Sequence, residues 1–270
     1  MAEMLSISTK HCRVERDGAV LTLTMNRPEA KNALSPEMLV GLADGYTLLD
    51  EDPELRCGIL TGAGGTFSSG ADLKAMSTPS ESGYVRERMA SEPNLHWKAL
   101  LRDYRCSKPL VAAVEGYAVA GGTEMLQGTD VRVAGDSATF GVWEARRALF
   151  PLGGSAVRLP RQIPYAHAMD ILLTARPVSA TEAQAMGLIS RVVPAGGALD
   201  AAKDIAATIA ANGPLSTRMI LRAWRETEGM PDAEAVAYQD PLGWEVMASE
   251  DAQEGARAFA EKRPPVFKGR

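Results

Sequence analysis

Two short buried strands, each running into a glycine-rich turn and then a helix, constrain the fold of this chain more than any other feature. Mostly apolar runs occupy 57–61 and 110–114; the first leads into Gly62 and the second to Gly121–Gly122. A strand at 20–26, in which apolar residues alternate with threonines, precedes both. Because strands that alternate with helices are typical of α/β folds, the sequence predicts this class up to about residue 190.

Helix start signals support this interpretation. Ser35 is a predicted N-cap, followed by Pro36 at a position that needs no N–H donor. Ser179 and Glu182 form a predicted capping box, after which the strand pattern ends. Further helices are predicted at 200–211, 214–228 and 251–262.

Composition and charge exclude several classes of protein. The 270 residues include 29 Lys and Arg against 34 Asp and Glu, and this net charge of −5 argues against a nucleic-acid partner. Glu115 interrupts the best apolar run, and the first residues lack the apolar stretch of a secretory signal. We therefore expect a cytoplasmic protein without a membrane-spanning helix. Three scattered cysteines predict neither disulfides nor a metal site, and of three histidines only His96 is kept as a candidate pocket residue.

Three motifs that would indicate particular classes of enzyme fail on spacing. The turn after Gly62 resembles a dinucleotide-binding loop, but Phe67 occupies the position of the last required glycine. Tyr104 and Lys108 have the spacing of short-chain dehydrogenases, but the next residue is a proline, which ends the helix needed to align them. The Gly-x-Ser-x-Gly elbow of serine hydrolases is incomplete, because Val157 occupies the position of its last glycine. A dehydrogenase is therefore disfavoured.

Two glycine-rich turns survive this comparison, at 67–73 and 118–124. Small residues let a ligand approach the backbone, and free N–H groups at a helix start attract negative charge. The N–H groups of Ala71 and Gly121 are therefore candidates for holding an oxyanion. The alternative, which these residues leave open, is that the glycines only form tight turns.

Two glutamates accompany these turns. Glu124 lies in the first turn of the helix that Gly121 opens, among small apolar residues where an unpaired carboxylate is costly to bury. Glu144 follows a predicted strand at 138–142. The alternatives are a carboxylate that favours a helix start and a solvated loop carboxylate.

Taken in order along the chain, the motifs resemble those of the crotonase (enoyl-CoA hydratase/isomerase) superfamily. The resemblance implies an α/β fold, a spiral of repeated ββα units with a C-terminal helical trimerisation region. On this basis residues 1–198 form the catalytic core and residues 199–270 the oligomerisation region. The matching segments are Phe67-Ser-Ser-Gly-Ala-Asp-Leu73, Gly121-Gly-Thr-Glu124 and Phe140-Gly-Val-Trp-Glu144, with further matches at 26–34, 108–116 and 259–263.

The resemblance also implies roles for individual residues. Crotonases stabilise the enolate of an acyl-CoA thioester, and Ala71 and Gly121 match the two backbone donors of the oxyanion hole. Glu124 matches the base that activates water, and Glu144 matches the acid that protonates Cα. Lys262 matches a position near the CoA phosphates, often reached from a neighbouring subunit, and is equally consistent with a solvated lysine. The other implied CoA contacts are Ala30 and Lys31 at the adenine end, and Ser69, Gly70, Asp72 and Leu73 along the pantetheine.

One departure from the family pattern concerns the acyl pocket. Trp143 replaces the usual proline before the second glutamate, and Arg146 and Arg147 follow where apolar residues are common. Trp143 is predicted to narrow or flatten the pocket. The arginines either favour a polar or carboxylated acyl group or form a solvated turn.

The presence of both glutamates favours an enoyl-CoA hydratase, which adds water across the 2,3 double bond of a trans-2-enoyl-CoA in fatty-acid or sterol side-chain β-oxidation. The alternatives are a Δ3,Δ2-enoyl-CoA isomerase or another enolate enzyme of the superfamily, and a non-catalytic acyl-CoA binder. The resemblance implies no permanent cofactor and no metal, because coenzyme A enters only as part of the substrate. It also implies a homotrimer or a dimer of trimers.

Overall fold

The computed structural model describes residues 2–72 and 80–270. In this part of the chain ten strands form one sheet of seven strands and one of three. The strands are β1 (Glu3–Met4), β2 (Cys12–Asp17), β3 (Val20–Met25), β4 (Cys57–Gly62), β5 (Leu110–Val114), β6 (Tyr117–Val119), β7 (Val131–Gly135), β8 (Thr139–Gly141), β9 (Val178–Ser179) and β10 (Arg191–Val193). The large sheet has the order β1-β2-β3-β4-β5-β7-β10 and is parallel from β3 onward; the small sheet has the order β6-β8-β9.

Eleven α-helices connect and cover the sheets in the same part of the chain. They are α1 (Pro36–Glu51), α2 (Gly83–Ser91), α3 (Leu95–Ala99), α4 (Gly121–Leu126), α5 (Ser155–Gln162), α6 (Tyr165–Thr174), α7 (Ala180–Ala185), α8 (Ala198–Ala211), α9 (Pro214–Glu226), α10 (Asp232–Met247) and α11 (Glu250–Glu261). None of these described helices is both long and apolar enough to cross a membrane.

A repeated unit builds the two sheets: a strand of the large sheet is followed by an extended segment in a second layer. β5 leads into β6 and β7 into β8, and β6 pairs in parallel with β8. Earlier turns of the same spiral add single parallel bridges to this layer, from Leu34 to Ala71 and from Ser68 to Ala118. The predicted spiral of ββα units is therefore confirmed. Its second layer brings the ends of successive units to one place.

The buried strands separate two cores. Cys57 and Ile59 of β4 point into a core that α8 closes with Ala202 and Ala206, whereas Leu60 belongs to the larger core on the other side. Burial on both faces explains why β4 and β5 are continuous apolar runs. The boundary predicted after residue 198 falls at the start of α8, and this helix belongs to the core of the sheet. α9, α10 and α11 contribute no residue to either of the two cores.

Most predicted element starts agree with the structure. The Ser35 hydroxyl accepts the N–H of Met38 as the N-cap of α1, and Ser179 and Glu182 form the predicted capping box at α7. One difference is α10, which lies between the helices predicted at 214–228 and 251–262, where the sequence predicts no helix. Pro241 lies inside this helix, and its apolar residues do not form a continuous stripe, so the usual helix signals are absent.

Candidate active site

The main-chain nitrogens of Ala71 and Gly121 lie close together at the end of the second layer. A Cβ added to Gly121 would lie 3.5 Å from the Ala71 nitrogen, and one added to Gly70 would lie 2.9 Å from the Gly121 nitrogen. Neither N–H has an acceptor among the described residues. Two free donors this close together are suited to bind one negatively charged oxygen.

The backbone beside these donors adopts conformations that require small residues. Gly70 has a φ of +88°, and Ala120, directly before Gly121, has a φ of +50°. Ala120 is held there because its N–H donates to the carbonyl of Gly141 (2.8 Å) and its carbonyl accepts the N–H of Glu124 (3.0 Å). Such a conformation costs about 1–3 kcal/mol and persists where surrounding bonds enforce it. These bonds fix the direction of the Gly121 N–H.

Glu124 is a buried carboxyl group held by the backbone that opens α5. It is 4% exposed, and its Oε1 accepts the N–H of Ser155 (3.2 Å). A Cβ added to Gly153 would lie 2.4 Å from Oε2, so only glycine fits against this side of the carboxyl group. Burial raises the pKa of Glu124, while the N–H groups of Ser155 and Gly153 and the charge of Arg158 act in the opposite direction.

Glu144 is the second carboxyl group and lies at the start of a 3-10 turn, Glu144–Arg147. Its Oε2 is buried and has no hydrogen-bond partner among the described residues. Burial, and next the charge of Glu124, raise the pKa of Glu144 to about 7. The two glutamates are therefore electrostatic neighbours in different surroundings, an arrangement that lets one stay ionised while the other holds a proton.

Trp143 belongs to a row of stacked side chains beside Glu144. A Cβ on Gly141 would lie 2.1 Å from Trp143 Nε1, so the indole fills the space of a side chain at position 141. Tyr117 meets the indole edge-on, with 6.2 Å between ring centroids, and Lys31 Nζ lies 5.0 Å from the Tyr117 ring. The Arg146 guanidinium lies 5.0 Å from the indole. We call Lys31, Tyr117, Trp143 and Arg146 the aromatic row.

The structure brings some predicted CoA contacts together. The N–H of Ser69 donates to the carbonyl of Lys31 (3.0 Å), and the Ser69 hydroxyl donates to that of Ala30 (3.4 Å). The Asp72 carboxylate pairs with Arg27, which holds Asp72 against the segment before Pro28. Leu73 lies outside the described residues.

Two other candidates lie on separate elements. Lys262 ends α11, which packs against α10, and its side chain is exposed. His96 lies on α3, where its ring contacts Trp97 with 4.3 Å between centroids. Within the described part of the chain no cluster of three or more His, Cys, Asp or Glu side chains is placed to hold a metal ion.

Sequence reasoning missed the segment that holds Glu124. In the sequence, residues 153–157 resemble only an incomplete serine-hydrolase elbow, whereas in the structure Gly153 and Ser155 contact the Glu124 carboxyl group. Arg158, which follows, is 7% exposed. The signal in the sequence is the glycine pair ahead of a helix whose fourth residue is an arginine between two apolar residues.

The fold and this site define a class of protein. The profile of the enoyl-CoA hydratase/isomerase family matches residues 15–270, and the chain belongs to this family. Enoyl-CoA hydratase EchA19 of Mycobacterium tuberculosis is 53% identical over 257 residues, which cover 95% of this chain and 96% of the relative. (E)-benzylidenesuccinyl-CoA hydratase of Thauera aromatica is 37% identical over 261 residues, 95% of this chain and 98% of the relative.

Solved structures agree with this assignment. The crystal structure of an enoyl-CoA hydratase from Mycobacterium tuberculosis H37Rv superposes with a TM-score of 0.87 at 40% sequence identity. The match covers 96% of this chain and 99% of the solved chain. The similarity therefore includes both the spiral and the C-terminal helices.

Proposed function

We propose that this protein is an enoyl-CoA hydratase that adds water across the 2,3 double bond of a trans-2-enoyl-CoA. The observation that carries the proposal is the pairing of Glu124 with Glu144, whose pKa is raised by burial and by its partner's charge. The free N–H groups of Ala71 and Gly121 supply the place for the thioester oxygen. The relative at 53% identity bears the name of this activity.

The reaction follows from these groups. The Glu124 carboxylate takes a proton from water as the water oxygen bonds to C3, and the π electrons move toward the thioester oxygen. The N–H groups of Ala71 and Gly121 stabilise the resulting enolate, and each such donor is worth about 3–4 kcal/mol of barrier. The Glu144 carboxyl group then gives its proton to C2. Proton exchange with solvent restores both glutamates.

Coenzyme A enters as part of the substrate. Lys31, Ala30 and Ser69 are joined by hydrogen bonds beside the two donors, a placement that supports their contact with the CoA moiety. Gly70 and Asp72 flank Ala71 and are proposed to contribute backbone contacts to the pantetheine. Lys262 is proposed to reach CoA from a neighbouring subunit of a trimer. We also propose that the protein is cytoplasmic.

The aromatic row is proposed to form a wall of the acyl pocket. Trp143 directly precedes Glu144, so groups attached to C3 would meet the indole as they approach the carboxyl pair. Arg146 and Arg147 are exposed, which supports the solvated-turn interpretation, although Arg146 also stacks on the indole. Enoyl-CoAs ranging from short-chain to carboxylated and sterol-derived acyl groups would identify the class that this wall accepts.

The first test measures the loss of enone absorbance with crotonyl-CoA. We expect turnover by the natural protein and a fall in kcat of at least about 100-fold in Glu124→Gln and in Glu144→Gln. Unchanged rates in both variants would overturn the two-carboxylate mechanism. Tight binding of acyl-CoAs without turnover of any enoyl chain would instead indicate the non-catalytic binder.

An isomerase is the second candidate, and the raised pKa of Glu144 is the observation that favours it. A carboxyl group with a pKa of about 7 is suited to move a proton between two carbons at neutral pH. Conversion of a 3-enoyl-CoA to its 2-enoyl isomer, measured in the same variants, separates the two activities. Isomerisation that survives Glu124→Gln while hydration is lost would assign Glu144 the shuttle role.

A further inference from the structure

Arg158 lies directly behind the proposed general base. This arginine of α5 is 7% exposed, and its guanidinium donates to three main-chain carbonyls on three different segments. They are the carbonyls of Glu124 on α4 (2.8 Å), of Leu101 after α3 (2.8 Å) and of Gly153 in the loop before α5. One buried side chain thus ties together the elements around Glu124.

The glycine loop lies between this guanidinium and the Glu124 carboxyl group. The Gly153 carbonyl faces Arg158, whereas a Cβ at position 153 would lie 2.4 Å from Glu124 Oε2. A Cβ at Gly154 would lie 3.0 Å from Arg158 Nε. The peptide groups here are therefore held on one side by the arginine and present their N–H groups to the carboxylate on the other.

We propose that Arg158 is a positioning residue for the general base, which orients the Glu124 carboxylate through the Gly153–Ser155 backbone and stabilises its ionised form. The inference rests on the proposed function, in which Glu124 activates water. Arg158 touches neither substrate nor the reacting atoms in this arrangement. Its effect passes through the loop and through its charge.

The charges around Glu124 support this role. Glu144 faces Glu124 from the 3-10 turn and Arg158 faces it from α5, so one neighbour disfavours the ionised form and the other favours it. Burial lowers the pKa of Arg158 to about 10, which leaves the guanidinium charged at neutral pH. The charged groups that surround Arg158 besides Glu124 are Arg102, Asp103, Arg105 and Arg132.

The test compares Arg158→Gln and Arg158→Lys across pH. Without the positive charge Glu124 holds its proton to higher pH, so in Arg158→Gln the acidic limb of kcat/KM moves to higher pH and kcat falls about 10- to 100-fold. Arg158→Lys keeps the positive charge but loses the planar guanidinium with its several N–H donors. The acidic limb of its kcat/KM profile therefore stays near that of the natural protein, while kcat falls. KM for crotonyl-CoA stays within about threefold in both variants.

Arg161 provides the matched control. It lies on the same helix, its side chain is 62% exposed and it pairs with Glu228 at the surface. Arg161→Gln is expected to keep the pH profile and kcat of the natural protein. An Arg158→Gln profile that coincides with the Arg161→Gln profile, with kcat unchanged, would overturn the inference. If Arg158→Gln does not fold, an Arg158→Lys kcat equal to that of the natural protein overturns it.

A measurement without substrate separates this inference from the proposed function. Loss of Arg158 should destabilise the fold increasingly as pH rises and Glu124 ionises, and this pH dependence should vanish when Glu124 is also changed to Gln. The free energy of unfolding of Arg158→Gln, alone and combined with Glu124→Gln, is measured by denaturant titration from about pH 5 to about pH 9. A pH dependence that persists without the Glu124 carboxyl group contradicts the inference even if hydration is never observed.

Discussion

Gly121 stands where a single methyl group would fill the space beside the two proposed oxyanion donors. A Cβ there would lie 3.5 Å from the Ala71 nitrogen and 3.4 Å from Leu34 Cδ1, which is ordinary van der Waals contact. Gly121→Ala should therefore fold, yet place its methyl group between the two donors. We expect kcat for hydration to fall about 100- to 1000-fold with the melting temperature nearly unchanged.

Gly83 offers the matched control for this change. It opens α2, outside the C-terminal helices, and a Cβ at this position would meet only the end of the Arg86 side chain, at 4.0 Å. Gly83→Ala should leave kcat at its natural value and leave the melting temperature unchanged or slightly raised. A Gly121→Ala enzyme that keeps kcat within about threefold would contradict the assignment of the oxyanion site.

In the proposed reaction, we expect the pKa of Glu144 to set the alkaline limit. A pKa of about 7 means that the carboxyl group loses its proton as pH rises through neutrality, and the proton donor to C2 is lost with it. We expect kcat/KM for crotonyl-CoA to decline above about pH 7. A kcat/KM profile that stays flat to about pH 9 would exclude Glu144 as the acid.

The same shift makes a prediction about stability. Because the folded-state pKa is raised, the native protein binds this proton more tightly than the unfolded chain does, and that contribution is lost as pH rises toward 7. Glu144→Gln should therefore gain stability relative to the natural protein over this window. We expect about 1–2 kcal/mol above neutral pH, since solvent screens part of the effect of a partly exposed group. Denaturant unfolding at pH 5 and pH 8 checks it, and an equal difference at both would contradict it.

Some residues of the candidate site can be predicted from the sequence, and others cannot. Small residues before Glu124, and glycines that follow buried strands, indicate the two donors and one carboxyl group, because backbone access has a compositional signature. Arg158 has no such signature, since its partners are carbonyls on three segments that only the folded chain brings together. Hydrogen bonds between a side chain and main-chain groups far away in the sequence cannot be predicted from the spacing of residues.

At the scale of elements, Glu115 anchors the start of α8. Its Oε1 accepts the N–H groups of Gly196 and Ala198 at 3.0 Å each, so a residue that interrupts an apolar run in the sequence satisfies a helix terminus in the fold. Glu115→Ala leaves both N–H groups without this acceptor. We expect a loss of about 1–3 kcal/mol in the free energy of unfolding, measured by denaturant titration.

Two further variants sharpen this prediction. Glu115→Gln keeps an acceptor oxygen and should recover about half of the loss. Asp200 lies in the first turn of the same helix with a side chain 85% exposed, so Asp200→Ala should change stability by less than about 0.5 kcal/mol. Equal losses for Glu115→Ala and Asp200→Ala would show that general helix-dipole effects, and not these two hydrogen bonds, account for the result.

Elements with strong local signals could be predicted, and those without them could not. β4, β5 and α1 carry continuous apolar runs or an N-cap with proline, and their positions agree with the structure. α3 spans five residues and α10 contains Pro241, so neither shows a long regular stripe. Their helical state depends on packing against the rest of the fold, which local propensity does not encode.

At the scale of the whole molecule, the helices after residue 212 leave large apolar side chains uncovered. α9 has no buried residue, and the side chains named below are each more than half exposed. Several large apolar side chains exposed on one set of helices are expected at a subunit interface. The exposed side chains are Ile220, Trp224, Val236, Trp244, Met247 and Phe259.

The predicted trimer therefore places this surface between subunits, and one charge within it should weaken assembly. Trp244 is 70% exposed on α10, and Trp244→Glu would require burial of a carboxylate at the contact. We expect the natural protein to sediment at about 86 kDa, three times the 28.8 kDa of one chain, or at twice that mass, and Trp244→Glu to shift toward the monomer. Leu173, 77% exposed on α6, is the control, because Leu173→Glu places the same charge outside the C-terminal helices. A natural protein that sediments as a monomer at micromolar concentration, or equal dissociation by both variants, would contradict an interface formed by α9 to α11.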